Sequence, residues 1–371
     1  MKIFSKIIKK RKKNRSFSKY FKWLPKKNLV LSLSSATLFF LTLPPFNLYF
    51  LGFIAFIPFF LIQEEEVKLY KFFRYGCVMG FALGFVSFFW LIQTIQVFGN
   101  LPLLVSVLIF LLFCAFFSLK YGIFIWLANA LQQYYRISTF LSYGGALILV
   151  ELFFPELFPA HLGNTQAYHF YFIQVVDVIG VHGMSFIVIS LNYFLYELVL
   201  NKNKKMLALI ISLFFVIYSY GVIRVIQIQK FQKNSQSLNI GVIQPDTPFL
   251  WGMSLKDLEK ITHSVINLTQ EAQKKTPEKL DLIVWPESAT PFDITYPNPF
   301  SEPIVKFMKE QKTAFIFNET NFLAYKTGKP LYTMASFMNF EGNIIDHYQK
   351  IYLLPFGEYL PLSGVFPSLH S

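Results

Sequence analysis

The sequence predicts a polytopic α-helical membrane domain of about seven spans, followed by a smaller α/β domain. Of the 371 residues, 54% are hydrophobic and only 15% are charged, whereas about a quarter of the residues in an average globular chain are charged. Apolar runs recur between about residues 28 and 225, and polar residues with short buried strands follow. We therefore expect a membrane domain at 28–225 and a second domain at 226–371.

The apolar runs have the length that a bilayer requires, since a spanning helix needs about 20 apolar residues. Short polar breaks separate them, and the first two are joined by the turn-forming sequence PPFN at 44–47. The predicted spans are 28–43, 46–63, 72–96, 101–128, 137–155, 169–199 and 205–224.

A dense basic segment, residues 1–27, precedes the first predicted span. One interpretation is a nucleic-acid-binding arm. We favour a cytoplasmic N-terminus and no nucleic-acid partner, because an apolar span follows at once and basic flanks stay inside. A secretory signal is disfavoured, since no small-residue cleavage site follows Leu43. The basic residues are Lys2, Lys6, Lys9, Lys10, Arg11, Lys12, Lys13, Arg15, Lys19, Lys22, Lys26 and Lys27.

Positive charges in the short breaks alternate along the chain. The breaks after the first, third and fifth spans carry no Lys or Arg. This alternation predicts a cytoplasmic N-terminus, and seven spans then place the second domain on the outer side of the membrane. The positive residues after spans two, four and six are Lys68, Lys71 and Arg74, then Arg136, then Lys202, Lys204 and Lys205.

The second domain has the pattern of a mixed-sheet α/β layer, in which short buried strands alternate with helices. We predict helices at Ser254–Lys274 and Glu302–Lys312. The predicted strands are Leu238–Gln244, Leu280–Trp285, Thr313–Asn318, Leu331–Phe340 and Asn343–Tyr348.

The predicted spans carry few groups capable of chemistry, and we predict neither a metal site nor a cofactor. Cys77 and Cys114 lie in apolar runs, where they are expected to pack as small hydrophobic residues. His161 and His169 are too far apart for a one-turn ligand pair. Glu151 is an acid inside a predicted span, and such carboxylates are functional candidates. We favour the other interpretation, in which Glu151 reaches interfacial water.

Two segments of the second domain place charges among apolar residues. Glu287 lies in WPESA at the end of a buried strand, where a desolvated carboxylate suits a general base. Lys350 and Glu358 lie in YQKIYLLPFGEYLP, and a fixed lysine can stabilise an oxyanion. Considered separately, each segment is also compatible with solvated loop charges.

Taken together, these segments resemble the nitrilase superfamily and, within it, the apolipoprotein N-acyltransferases. WPESATP (285–291) looks like the general-base motif and YQKIYLLPFGEYLP (348–361) like the lysine segment, while LTLPPFNLYFLGFIAFIPFF (41–60) is similar to the first hairpin of spans. The resemblance implies that Glu287 is the base, Lys350 the oxyanion lysine and Glu358 a second essential carboxylate. It also implies a partial nitrilase-like α-β-β-α domain at 226–371.

Other features follow from the same resemblance. IQPDTPFLW (243–251) looks like the opening of the family's soluble domain, with Asp246 where the family has Asn. Trp251 and Tyr359 are the implied substrate-binding residues. In the family, the nucleophilic cysteine lies beyond the second glutamate, and the chain to Ser371 does not include it. We therefore expect this chain to be inactive by itself.

The implied activity is acyl transfer from a phospholipid, through a thioester, to the N-terminal amine of the lipid-modified cysteine of apolipoproteins. The implied setting is a monomer in the bacterial inner membrane, with its soluble domain in the periplasm. Two alternatives stay open, an inactive relative without the nucleophile and a membrane-bound nitrilase-type amidase. Seven spans exceed what a tether needs, which disfavours the amidase.

Overall fold

The computed structural model describes residues 25–63, 68–248, 252–320 and 332–353. The chain separates into two compact units, Met1–Lys230 and Phe231–Ser371. Each unit has a hydrophobic core of its own, the first rich in aromatic side chains and the second built from aliphatic and aromatic residues of a sheet and its helices. The two units are described separately below.

The first unit is helical throughout its described length. Short 3-10 helices at Tyr49–Phe53 and Leu162–Gln166 precede α2 and α7. The helices are α1 (Lys26–Phe40), α2 (Ile57–Gln63), α3 (Leu69–Ser87), α4 (Leu91–Gly99), α5 (Leu103–Tyr135), α6 (Thr139–Phe153), α7 (Phe170–Ile173), α8 (Val176–Val199) and α9 (Lys205–Lys233).

Three helices of the described chain, α5, α8 and α9, are long and apolar enough to cross a membrane. A fourth span results if α3 and α4, which are bent by 63° at a short break, cross together. Helical segments lie in all seven predicted regions, but α1, the pair of short helices at 49–63 and α6 are shorter than a full span. The structure therefore supports three or four spans by length, against the seven predicted.

The second predicted span is broken because its backbone bonds to a side chain of another helix. The amide of Asn192, on α8, accepts a hydrogen bond from the Phe56 backbone N–H at 2.8 Å and donates one to the Gly52 carbonyl at 2.8 Å. An interruption of a helix inside an apolar bundle leaves backbone groups that need partners. Asn192, which is fully buried, supplies them.

Glycines allow α3 and α5 to approach closely. A Cβ atom added at Gly76 would overlap the carbonyl oxygen of Tyr121, and one at Gly80 would lie 2.8 Å from the Cα of Ser118. Small residues spaced four apart commonly let two membrane helices pack at short range. Gly76, Gly80 and Gly84 therefore form the face of α3 that contacts α5.

The second unit contains a five-stranded mixed sheet in the order β1-β2-β3-β4-β5. The first three strands are parallel, and β3, β4 and β5 are successively antiparallel. Two helices accompany the sheet, α10 (Leu255–Lys275) and α11 (Ser301–Gln311). The strands are β1 (Ile240–Val242), β2 (Leu282–Val284), β3 (Ala314–Thr320), β4 (Thr333–Met338) and β5 (Ile344–Gln349).

The strand and helix order of the second unit agrees with the sequence prediction, with small shifts at the ends. Helix α10 begins after Ser254, whose side chain forms a reciprocal capping box with Asp257. Phe315 and Phe317 alternate along β3, so both face the core that α10 and α11 share. Within the described residues, the unit has one sheet and one helical layer, and no second sheet of the expected α-β-β-α sandwich is seen.

Candidate active site

The topology of the sheet brings the ends of two distant strands to one edge. Strand β5 is antiparallel to β4, which is antiparallel to β3, so β5 runs in the same direction as β2. Glu287 follows β2 and Lys350 follows β5. Both residues therefore leave the sheet at the same edge, where α/β domains present catalytic side chains.

The two predicted residues meet at this edge. The Nζ atom of Lys350 lies 3.1 Å from Oε1 of Glu287 and donates a hydrogen bond to it. The backbone N–H of Lys350 also bonds to the Thr333 carbonyl at 2.9 Å, which extends the β4–β5 ladder by one residue. A lysine held at its backbone and paired at its ammonium group has a restricted position, as a group that stabilises an oxyanion requires.

The loop after β2 crosses toward β5, because β3 and β4 separate the two strands by about 14 Å at the usual strand spacing. The Trp285 N–H bonds to the Ile316 carbonyl at 2.9 Å and continues the pairing with β3. Ser288, with a left-handed φ of 57°, then donates its N–H to Oδ1 of Asn318 at 3.0 Å. The Nδ2 of Asn318 donates to the Met334 carbonyl at 3.1 Å. Asn318 thus joins the Glu287 loop to β4.

Two further contacts hold the base of this loop. The Trp285 ring is buried, and its Nε1–H donates to Oγ1 of Thr269, on α10, at 3.2 Å. The hydroxyl of Thr247, in the segment after β1, donates to the Ala289 carbonyl at 2.9 Å. The residues on either side of Glu287 are therefore fixed to the sheet and to a helix.

The expected desolvation of Glu287 is not seen among the described residues. Its side chain is 63% exposed, while that of Lys350 is 33% exposed. Its apolar neighbours Trp285 and Ala289 are buried in the core, whereas Glu287 is exposed. Within the described residues, the pair is therefore accessible to solvent.

Three other predicted site residues lie outside the described residues. These are Glu358, Trp251 and Tyr359. Thr333 lies within the described residues and accepts the Lys350 backbone N–H at its carbonyl oxygen.

A second polar network near the site was not predicted. Glu319, on β3, is buried and accepts hydrogen bonds from the Ser336 hydroxyl and from the N–H and hydroxyl of Thr295, at 3.1 and 2.6 Å for Thr295. The Ser336 oxygen also contacts Nδ1 of His347 at 2.8 Å. The sequence feature that indicates Asn318 and Glu319 is their position as two adjacent polar residues near the end of the apolar strand AFIFNET.

Charged residues are also buried in the first unit. Lys120, within α5, lies 2.5 Å from Oε1 of Glu156 and donates to the Ala160 carbonyl at 2.8 Å. The favoured interpretation of Glu151 is wrong, because its side chain is only 1% exposed and bonds to protein groups instead of interfacial water. Burial lowers the pKa of His161 below its ordinary value. The charge of Glu151 acts in the opposite direction, whereas Lys120 and His182 lower the pKa further.

Comparison with known proteins gives a consistent set of relatives. Residues 35–194 match the model of the apolipoprotein N-acyltransferase N-terminal domain. Apolipoprotein N-acyltransferase 2 of Leptospira interrogans is 30% identical over 362 residues, which cover 88% of this chain and 60% of that protein.

Similar matches come from other bacteria. The apolipoprotein N-acyltransferase of Bdellovibrio bacteriovorus is 29% identical, and the alignment covers 88% of this chain and 62% of that protein. That of Geobacter metallireducens is 27% identical, and the alignment covers 93% of this chain and 67% of that protein. The chain thus spans about 60% of the length of the first of these curated relatives.

Proposed function

Because the chain belongs to the apolipoprotein N-acyltransferase family, we propose that the whole protein transfers an acyl chain from a phospholipid to the N-terminal amine of a lipid-modified cysteine in apolipoproteins. The observation that carries this proposal is the Glu287–Lys350 pair at 3.1 Å. Two segments distant in sequence, each predicted to hold a catalytic group, meet at one sheet edge. The proposal places this nitrilase-like domain in the periplasm and the helical unit, with seven spans, in the inner membrane.

In the first half-reaction, Glu287 takes the proton of a cysteine thiol, and the thiolate attacks the ester carbonyl of the phospholipid. Lys350 stabilises the negative charge that develops on the carbonyl oxygen. The C–O bond then breaks, and the proton on Glu287 passes to the departing alkoxide. The products are a lysophospholipid and a thioester on the enzyme.

In the second half-reaction, the amine of the acceptor attacks the thioester carbonyl and the C–S bond breaks. Glu287 accepts the proton that the nitrogen loses and returns it to the sulfur. Glu358 acts as a second carboxylate at this site, and Trp251 and Tyr359 contact the substrates. A monomer is sufficient, since one chain supplies both members of the pair.

The cysteine of this mechanism is neither Cys77 nor Cys114. Cys114 is buried in α5, Cys77 is partly buried in α3, and both belong to the helical unit. The family resemblance assigns the nucleophile to sequence beyond Glu358, and the curated relatives are longer than this chain.

The test is to trap the thioester in the full-length protein with a fluorescent phospholipid. We expect Glu287→Gln to slow adduct formation by about 100-fold to 10,000-fold and Lys350→Met by about 100-fold to 1,000-fold. Glu259→Gln and Lys256→Met, on the exposed surface of α10, are matched controls that should keep the wild-type rate.

Two outcomes would contradict the proposal. A wild-type protein that accumulates no adduct would be an inactive relative, and release of ammonia from soluble amides without lipid cleavage would identify an amidase. Adduct formation at the wild-type rate in Glu287→Gln would remove this residue from the mechanism.

A further inference from the structure

We propose that the helical unit contains a binding site for a zinc-type divalent metal ion, formed by Glu151, His161 and His182. This site belongs to a different unit from the Glu287–Lys350 pair and does not depend on the proposed acyl transfer. Its residues come from three segments, namely α6, the loop that follows it, and α8. The irregular sequence spacing of the three explains why no motif indicated the site.

The first argument is the distance between the potential ligand atoms. Oε2 of Glu151 lies 3.2 Å from Nδ1 of His182 and 3.8 Å from Nδ1 of His161, and one ligand atom from each residue falls within 4.8 Å of the others. In a tetrahedral zinc site with bonds near 2.1 Å, neighbouring ligand atoms are about 3.3 Å apart. The three groups need shifts of roughly an ångström or less to bind one ion.

The second argument is that the carboxylate is held in orientation by other groups. Oε1 of Glu151 accepts hydrogen bonds from the Leu162 N–H at 2.8 Å and from the Ser185 hydroxyl at 3.0 Å. These bonds leave Oε2 directed at the two imidazoles. Metal ligands are typically fixed by such outer hydrogen bonds.

The third argument is an unsatisfied buried atom. The His161 side chain is only 14% exposed. Its Nδ1 atom is buried and has no hydrogen-bond partner in the described part of the chain. Buried polar atoms almost always have a partner. A metal ion between Glu151 and the two imidazoles would give this nitrogen its partner.

The charge of the cluster favours a cation. The nearby ammonium of Lys120 is paired with Glu156 at 2.5 Å, so it is not the partner of the Glu151 carboxylate. Two imidazole nitrogens and one carboxylate oxygen suit zinc, whereas magnesium and calcium prefer oxygen ligands only. The His182 side chain is 29% exposed, which provides an entry path and room for a water ligand.

The experiment uses the full-length protein, purified in detergent without a polyhistidine tag, stripped with a chelator and titrated with zinc or cobalt. We expect about one ion per chain, visible cobalt absorption of tetrahedral type, and a higher Tm with zinc. His161→Asn and His182→Asn should each weaken binding by at least about 100-fold. His263→Asn, an exposed histidine of α10, is the matched control and should bind as the wild type does.

The proposal is overturned if the stripped wild-type protein takes up no metal at micromolar concentration, which would leave a hydrogen-bonded imidazole–carboxylate cluster. It is equally overturned if the cobalt spectrum persists in the His161→Asn/His182→Asn protein. X-ray absorption of the zinc-loaded wild type keeps the test independent of variant folding. Two imidazole ligands without sulfur are expected, and a sulfur ligand or the absence of histidine contradicts the site.

Discussion

At the scale of single residues, the position of Glu287 depends on an amide that touches neither reactant. Asn318 holds the Ser288 N–H and the Met334 carbonyl at once, so it fixes the distance between the loop after β2 and the strand that precedes β5. Ser288 is in a left-handed conformation, which a residue with a side chain adopts only when its surroundings hold it there. Asn318 is therefore a positioning residue for the candidate pair.

We predict that Asn318→Ala lowers kcat for acyl transfer by up to about 100-fold, because a displacement of about 1 Å in a catalytic group has an effect of this size. KM should change little, and the free energy of unfolding should fall by about 0.5–1.5 kcal/mol, because hydrogen bonds to the exposed Ser288 N–H and the part-buried Met334 carbonyl are lost. Steady-state kinetics and thermal unfolding of the full-length protein measure both.

Two variants separate positioning from general stability. Asn318→Asp keeps the acceptor for Ser288 and should recover part of kcat, while Asn343→Ala, in the exposed β4–β5 turn, should leave both kcat and Tm unchanged. The positioning role would be contradicted if kcat fell equally in Asn318→Ala and Asn318→Asp, or if KM changed as much as kcat.

At the residue scale, the sequence singles out charges that stand in distinctive motifs, and their catalytic roles stay predictions. Glu287 and Lys350 were both selected from such segments, and the structure brings them together. Asn318 and the His161–Glu151 contact could not be predicted, because each depends on partners supplied by other segments. Because the partners of such a contact lie on different strands or helices, no fixed spacing in the sequence identifies them.

At the scale of elements, the close packing of α3 on α5 leaves no room for a side chain at Gly76. We predict that Gly76→Ala lowers the stability of the detergent-solubilised protein by about 1–3 kcal/mol, because the new methyl group overlaps the Tyr121 carbonyl of α5. Thermal unfolding monitored by circular dichroism measures the change. A Tm equal to that of the wild type would show that the two helices can separate at little cost.

Gly145→Ala, on α6, is the matched control for this prediction. A Cβ at Gly145 meets no atom within 4 Å. The same change of residue type should therefore be neutral, or slightly stabilising through the better helix propensity of alanine.

The type of the elements was predicted well, whereas the number of full-length spans and the continuity of the helices were not. Hydropathy identified the apolar segments, and strand and helix patterns in the second unit were close to those observed. Continuity failed at 46–63 because a polar side chain from α8, Asn192, stabilises the interrupted backbone. Hydropathy averages over a segment and is insensitive to a hydrogen bond from a residue far along the chain.

At the scale of the whole molecule, charge alternation predicts that the α9–β1 junction lies outside the inner membrane and the break after α8 inside. In a full-length background in which Cys77, Cys114 and every cysteine after Glu358 are replaced by Ala, we expect a membrane-impermeant maleimide to label Lys256→Cys in spheroplasts. Lys204→Cys should be labelled only after the membrane is disrupted. Both lysines are exposed, so accessibility within the protein does not limit the reaction.

The reverse labelling pattern would contradict the predicted topology, because it would place the second unit on the cytoplasmic side. Labelling of both positions in intact spheroplasts would show that α9 does not cross the membrane as a single span between them. The division into a helical unit and a sheet-containing unit could be predicted because composition changes sharply near residue 226.

The direction of β5 has a consequence for the order of events during synthesis. Glu287 and Lys350 are separated by 63 positions, and β3, β4 and β5 must emerge and pair in turn before the lysine arrives. Loop closure over such distances makes these pairings late steps of folding. The pair of Glu287 and Lys350 therefore forms only after β5 has joined the sheet.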